Sequence, residues 1–106
     1  MPWFDAHKGE IKQLLNPLAP FCEEIWVFGS ALTKNDPNDL DLLIVYNESI
    51  YEAMKQEVSK LEKKDISGVF CHFTKLLQSE VDGDYSFTIE VRKTRVLLWD
   101  KTGWKI

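Results

Sequence analysis

The chain has 106 residues, of which 44% are hydrophobic and 28% charged, and its formal net charge is -4. This length and composition are typical of one globular domain, so we predict a single domain over residues 1–106. The acidic balance argues against a nucleic-acid-binding domain, which needs a basic face. No apolar run approaches the ~20 residues of a membrane span. The chain begins without a signal peptide, and Cys22 and Cys71 lie in apolar surroundings, so we expect a cytoplasmic protein with reduced cysteines.

Hydrophobic periodicity predicts alternating helices and strands in the first half of the chain. A first helix is expected over Asp5–Leu15, with Pro17 ending it. Glu24–Gly29 is predicted to be the first strand, and its unbroken apolar run indicates a central strand that is buried on both faces. Asp39–Tyr46 is predicted to be the second strand.

The second half of the chain continues this alternation. Ser49 is predicted to cap a helix that runs to about Lys64, with Glu52 completing a capping box. Three segments follow: a third strand at Val69–Thr74, the segment Tyr85–Lys93, which suits either a strand or a short helix, and a last strand at Arg95–Trp99. The predicted fold is α/β or α+β, a mixed sheet backed by helices.

Two short motifs near the first two strands carry the chemistry. The first strand runs into Gly29-Ser30, whose backbone and hydroxyl groups can approach a phosphate. Asp39 and Asp41 alternate on the second strand, which places both carboxylates on one face, where they need a cation. Each motif also has a simple structural interpretation, as a strand-ending turn, a loop cap or a calcium loop. Their order and close spacing favour a shared site, and Mg2+ suits its oxygen ligands.

The stretch from Val27 to Val45 resembles the signature of the nucleotidyltransferase superfamily related to DNA polymerase beta. There a hydrophobic strand, Gly-Ser, a short variable segment and an Asp-hydrophobic-Asp strand form the active site. The length of the chain and its loop at residues 31–38 are most similar to the minimal nucleotidyltransferases of bacteria and archaea. The resemblance implies a nucleotidyltransferase-like fold and transfer of a nucleoside monophosphate from a nucleoside triphosphate to an unknown acceptor, which is a protein, a nucleic acid end or a small molecule. It implies Mg2+ or Mn2+ held by Asp39 and Asp41, with Gly29, Ser30 and Lys34 at the phosphates.

The sequence departs from this pattern at two points. The family usually places a third carboxylate on the next strand, whereas here Val69–Thr74 offers only His72. His72 is either a base or ligand that replaces the acid, or a structural histidine. Glu90 reaches the site only if its segment pairs as a strand. The loop after Ser30 also lacks an arginine and offers Lys34 alone.

These departures leave two functions open. The first is a metal-dependent nucleotidyltransferase whose acceptor is recognised by a partner protein, as in a two-protein toxin–antitoxin system, or through homo-oligomerisation. The C-terminal aromatic residues Trp99 and Trp104, with Ile106, suggest an exposed apolar interface for such a partner. The second is a catalytically silent module of the same fold that binds nucleotide or a partner protein. Arg92, Lys93 and Arg95 form a small basic cluster that either contacts phosphate or lies on the solvated surface.

Overall fold

A computed structural model describes residues 1–81 and 94–106. The helices in these residues are α1 (Trp3–Ala6), α2 (Lys8–Leu15), α3 (Tyr51–Leu61) and α4 (Gln78–Val81). The strands are β1 (Glu24–Phe28), β2 (Asp39–Tyr46), β3 (Asp65–Ile66), β4 (Val69–Leu77), β5 (Val96–Asp100) and β6 (Gly103–Trp104). Short 3-10 turns lie at Ala19–Phe21, Gly29–Leu32 and Glu48–Ile50. The predicted segment Tyr85–Lys93 and Glu90 within it lie outside the described residues.

The strands form one mixed sheet in the order β3-β4-β2-β1-β5-β6. β1 pairs antiparallel with β2 and β5, whereas β2 and β4 run parallel. The predicted mixed sheet backed by helices is therefore confirmed, and β2 has the predicted bounds. The two-residue strands β3 and β6 were not predicted, because so short a stretch carries no alternation to detect.

The two faces of the sheet are covered differently. One face carries the main core, where Ile25 and Val27 of β1 are fully buried with residues of α2 and α3. The opposite face carries a small cluster made of Leu43 and Val45, against which partly buried hydrophobics pack: Trp26, Phe28 and Leu76. β1 is a central strand as predicted, but burial on both of its faces was wrong, because its second face is only half-buried.

The predicted N-terminal helix is two helices that meet at His7. The His7 ring stacks on Trp3, with centroids 4.3 Å apart, and its Nδ1 lies 2.8 Å from the Trp3 carbonyl oxygen. Trp3 in turn donates its backbone N–H to the Lys34 carbonyl at 2.8 Å. The buried Trp3 is thus bonded to the loop that follows Ser30. Helical periodicity does not reveal this tertiary contact.

The predicted cap of α3 was also wrong. The residue before α3, Ile50, makes no side-chain capping bond, and Asn47 instead caps the 3-10 turn Glu48–Ile50, since its Oδ1 accepts the Ser49 N–H at 3.0 Å. A 3-10 turn therefore precedes α3, which begins only at Tyr51 and ends at Leu61. Asparagine and serine both favour such positions, so the sequence alone left the choice between them open.

The C-terminal apolar residues do not form an exposed patch. Trp99, Trp104 and Ile106 are half-buried and pack against the main core. Trp99 and Trp104 face each other across the β5–β6 pair. Among the described residues, no helix combines the length and apolar character needed to cross a bilayer.

The β3–β4 hairpin gives a stability prediction. Its two-residue turn, Ser67-Gly68, has φ values of 49° and 84°, a left-handed conformation that asparagine tolerates better than serine. Ser67→Asn should therefore raise the free energy of unfolding by about 0.5 kcal/mol. Thermal denaturation of this variant beside Ser59→Asn, on the exposed side of α3, checks the effect. Equal melting temperatures for parent and Ser67→Asn would contradict it.

Candidate active site

Asp39 and Asp41 lie at the start of β2, on the face opposite the main core. Leu40 and Leu42 alternate with them and are fully buried on the core side. A one-residue slip would bury the carboxylates and expose the leucines, so this register is strongly fixed. Asp39 is exposed, whereas the Asp41 side chain retains 25% of its accessible surface. The two carboxylates therefore share one face but differ in their access to water.

The Gly29-Ser30 bend packs directly against Asp41. Phe28 pairs with Asp41 across β1 and β2, so the next residue, Gly29, comes beside that carboxylate. Gly29 has φ +81°, and a Cβ atom built on it would lie 2.6 Å from Asp41 Oδ2. The glycine thus permits both the left-handed bend and the close approach of backbone to carboxylate.

The remaining predicted phosphate ligands lie in the turn that follows. Ser30 is half-buried, and its carbonyl oxygen accepts the N–H groups of Thr33 and Lys34 at 3.1 and 2.8 Å. Lys34 is exposed, whereas its backbone is fixed: its N–H donates to the Ser30 carbonyl, and its carbonyl accepts the Trp3 N–H. The structure thus holds the Lys34 backbone close to Ser30, while its role at phosphates stays a prediction.

His72 lies directly beside Asp41. The parallel register of β2 and β4 pairs the two residues, and His72 Nδ1 lies 3.3 Å from Asp41 Oδ1. The His72 side chain is 68% exposed, so it is not a packing residue of the core. An exposed imidazole in contact with a half-buried carboxylate can accept or donate a proton at the mouth of the site.

The pKa of Asp41 is raised above the ordinary value for aspartate. Burial is the largest cause, and the negative charge of Asp39 adds to it. The hydrogen bond and charge interaction with His72 oppose the shift without cancelling it. The ionised form of Asp41 is therefore disfavoured in the folded chain, and a cation at this point would relieve the cost.

This raised pKa predicts a pH dependence of stability. Since the unfolded chain ionises Asp41 at lower pH than the folded chain does, stability is lost as pH rises through the pKa of the folded state. Asp41→Asn should remove that loss and raise the melting temperature at pH 7 without divalent ions. Melting curves from pH 4 to 8 check this. An Asp41→Asn variant that melts below the parent at pH 7 would contradict it.

The side chains at this site suit a magnesium ion, which keeps several water ligands, better than a metal whose ligands all come from the protein. In residues 1–81 and 94–106, no group of three or more His, Cys, Asp or Glu side chains is arranged to hold a metal. Mg2+ commonly takes only one or two protein carboxylates and completes its shell with water and substrate phosphates. Asp39 and Asp41, on one face of β2, offer the two carboxylates that such an ion would need.

Aromatic side chains and Arg95, which the sequence placed in a small basic cluster, lie on the same sheet face as these carboxylates. The Arg95 guanidinium lies over the Trp26 ring, 4.0 Å from its centroid, and Trp26 belongs to the same sheet face as Asp41. Phe70, paired with Asp39, is 49% exposed. Alternation along β1 put Trp26 and Phe28 on one face, but only the strand pairing brings Arg95 to it.

No protein-family model matches this chain, and no curated protein does. Among solved structures, the chain is similar to a crystal structure described as a "putative nucleotidyltransferase" from Sulfolobus solfataricus. The TM-score is 0.59 and the sequence identity 23%, over 91% of this chain and 83% of the other. At this identity the similarity shows the fold alone. The chain therefore has a nucleotidyltransferase-like fold.

Proposed function

We propose that this protein is a metal-dependent nucleotidyltransferase. It would use Mg2+ or Mn2+ and transfer a nucleoside monophosphate from a nucleoside triphosphate to an acceptor. The observation that supports this most directly is the packing of Asp41 against Gly29, with Asp39 on the same face, in a chain with a nucleotidyltransferase-like fold. Carboxylates beside a backbone cradle are what metal-assisted transfer to or from phosphates needs.

The reaction assigns a role to each predicted residue. The acceptor oxygen forms a bond to the α-phosphorus, and the bond from that phosphorus to the oxygen bridging to the β-phosphate breaks. Pyrophosphate leaves with the electron pair, and His72 accepts the acceptor's proton. Gly29 and Ser30 receive the phosphates, and Lys34 adds a positive charge. Asp39 and Asp41 would hold the Mg2+, and the ion would supply the charge neutralisation that a polyphosphate requires.

The acceptor is proposed to be chosen by a second protein or by another copy of the chain. The main support is the resemblance to minimal nucleotidyltransferases, whose partners are often encoded beside them in toxin–antitoxin pairs. The half-buried positions of Trp99, Trp104 and Ile106 remove the surface first expected to serve this purpose. Co-purification of the tagged protein with its neighbouring gene product would test the pairing.

One observation favours a second function, a silent module that binds nucleotide. The position beside Asp41 on β4 holds a histidine where the family usually has a carboxylate on this strand. A carboxylate would offer a third anionic oxygen ligand, which a neutral imidazole does not. This site would then bind metal and nucleotide more weakly and leave transfer uncatalysed.

Label transfer separates the two functions. The purified protein is incubated with α-labelled nucleoside triphosphates, Mg2+ or Mn2+, and a cell lysate that supplies acceptors. Incorporation of the α-label, with none from γ-labelled triphosphate, supports nucleotidyl transfer. Binding without incorporation supports the silent module, and absence of both binding and incorporation rejects both functions.

A further inference from the structure

The outer side of strand β4 is open along most of its length. On one side β2 pairs with residues 70–77, whereas on the other side β3 pairs only with Val69 and Phe70. In the part of the chain that the structure describes, no further strand pairs with β4, so residues 71–77 form an open edge. Such an edge presents a row of backbone N–H and C=O groups to which another strand can bind.

The β3–β4 hairpin decides which backbone groups of the open edge point outward. Ile66 and Val69 flank its two-residue turn and pair with each other. Residues in that position exchange hydrogen bonds, so the N–H and C=O of Val69 point toward β3. Because these groups alternate in direction along a strand, those of Cys71, Phe73 and Lys75 also point outward, away from β2.

The last residue of β4 supports this assignment. Leu77 continues the same series, and its N–H donates to Glu80 Oε1, 2.9 Å away, and not to β2. One outward N–H is therefore satisfied by a side chain of the next helix, α4. Within the described residues no strand meets the outward groups of residues 71, 73 and 75, which leaves them for water or for an added strand.

A second copy of the open edge fits antiparallel to the first when Thr74 lies opposite Thr74 of the copy. In that register Phe73 lies opposite Lys75 of the copy, and the two residues exchange hydrogen bonds. Cys71 lies opposite Leu77 of the copy. Outward groups therefore meet outward groups along the whole edge, and the copy's strand ends where β3 begins.

The side chains suit this register. Two threonines opposite each other are a favourable cross-strand pair, whereas like charges opposite each other are not. Lysine in an edge strand usually opposes pairing. Here Lys75 lies opposite Phe73 of the copy and not opposite another lysine, and its long stem lets the ammonium group reach water.

We infer that two copies of this protein pair through residues 71–77 of β4 and form one continuous sheet, with a two-fold axis at Thr74. A two-fold interface uses the same patch on both chains, as this register requires. His72 then lies opposite Leu76 of the copy, on the face that carries Asp41. Each candidate site is thereby bordered by a residue of the other chain. The pairing does not depend on the proposed transfer activity.

Cysteine cross-linking tests the register. Thr74 meets its copy as a non-hydrogen-bonded pair, in which Cα atoms lie about 4.5 Å apart, within the range of a disulfide. Thr74→Cys should therefore become mostly a covalent dimer on mild oxidation, seen on a non-reducing gel. Lys75→Cys is the matched control and should stay mostly monomeric, because residue 75 does not face itself. The parent, whose cysteines Cys22 and Cys71 are both buried, gives the background.

Sedimentation velocity tests the backbone pairing. The parent should sediment as a dimer and Lys75→Pro as a monomer, since proline removes an outward N–H without removing a bond to β2. Lys75→Ala keeps that N–H and should remain a dimer. If Lys75→Pro does not fold, the cross-linking of Thr74→Cys still decides.

Failure of the inference is distinct from failure of the proposed function. A parent that is monomeric, or that pairs only with a different protein, would overturn the inference, and label transfer by that monomer would leave the enzyme in place. Stronger cross-linking of Lys75→Cys than of Thr74→Cys would also overturn it. A dimeric parent that cross-links through Thr74→Cys but transfers no label would support the pairing and reject the transfer activity.

Discussion

Asp41→Asn should abolish nucleotidyl transfer while the variant stays folded. Asparagine keeps the shape of the side chain, which limits disturbance of β2 and of the Gly29 bend. The change removes the charge that is proposed to bind the metal, and the anionic contact to His72, which lies 3.3 Å away. We expect the rate of α-label incorporation to fall at least about a thousandfold. Initial rates at saturating Mg2+, measured beside the melting temperature, check this.

Two further variants sharpen that experiment. Asp39→Asn should also abolish transfer but leave stability nearly unchanged, because Asp39 is exposed. Asp36→Asn is the matched control: it removes an exposed aspartate from the loop between the bend and β2, and its rate should match the parent. Transfer that survives in both Asp39→Asn and Asp41→Asn would rule out the metal site. Loss of transfer in Asp36→Asn would mean that net charge, not position, governs the rate.

Because Asp41→Asn is expected to gain stability, measuring its melting temperature together with its transfer rate separates a loss of chemistry from a loss of folding. Burial and the nearby Asp39 raise the pKa of Asp41, so its charged form opposes folding. A variant that melts higher and transfers nothing would show that the carboxylate is retained for chemistry at the expense of stability. A variant that loses both would show only that the fold is damaged.

The sequence was sufficient to place Asp41 beside Gly29 because local rules fix both residues. Alternation along β2 decides which face the carboxylates occupy, and burial of Leu40 and Leu42 holds the strand in that register. A short connection between β1 and β2 favours their antiparallel pairing, which brings the bend to the carboxylate. These are short-range effects, and a single sequence carries them.

Other parts of the site depend on contacts between distant segments. His72 reaches Asp41 through the parallel β2–β4 register, and the chain between these two strands contains α3. Arg95 reaches Trp26 through β5, whose pairing with β1 is irregular between Ile25 and Trp26. An irregular register shifts the side-chain alternation, so no periodicity in the sequence gives the face of Arg95.

Gly29→Ala should lower the free energy of unfolding more than any other single change at the site. Alanine at φ +81° costs about 1–2 kcal/mol of folding free energy through backbone strain alone. The new Cβ would lie 2.6 Å from Asp41 Oδ2, so the carboxylate or the bend must also shift. We expect a total loss of about 2–4 kcal/mol in the free energy of unfolding and loss of label transfer. Chemical denaturation and the transfer assay measure the two effects.

Gly68→Ala separates the strain from the clash. Gly68 has φ +84°, nearly that of Gly29, but a Cβ there would meet nothing within 4 Å. The excess cost of Gly29→Ala over Gly68→Ala therefore measures the collision with Asp41. Combining Gly29→Ala with Asp41→Ala should recover most of that excess, since the colliding oxygen is gone. If the two glycine variants lose equal stability, the bend does not press on the carboxylate, and the cradle on which the proposed activity depends is absent.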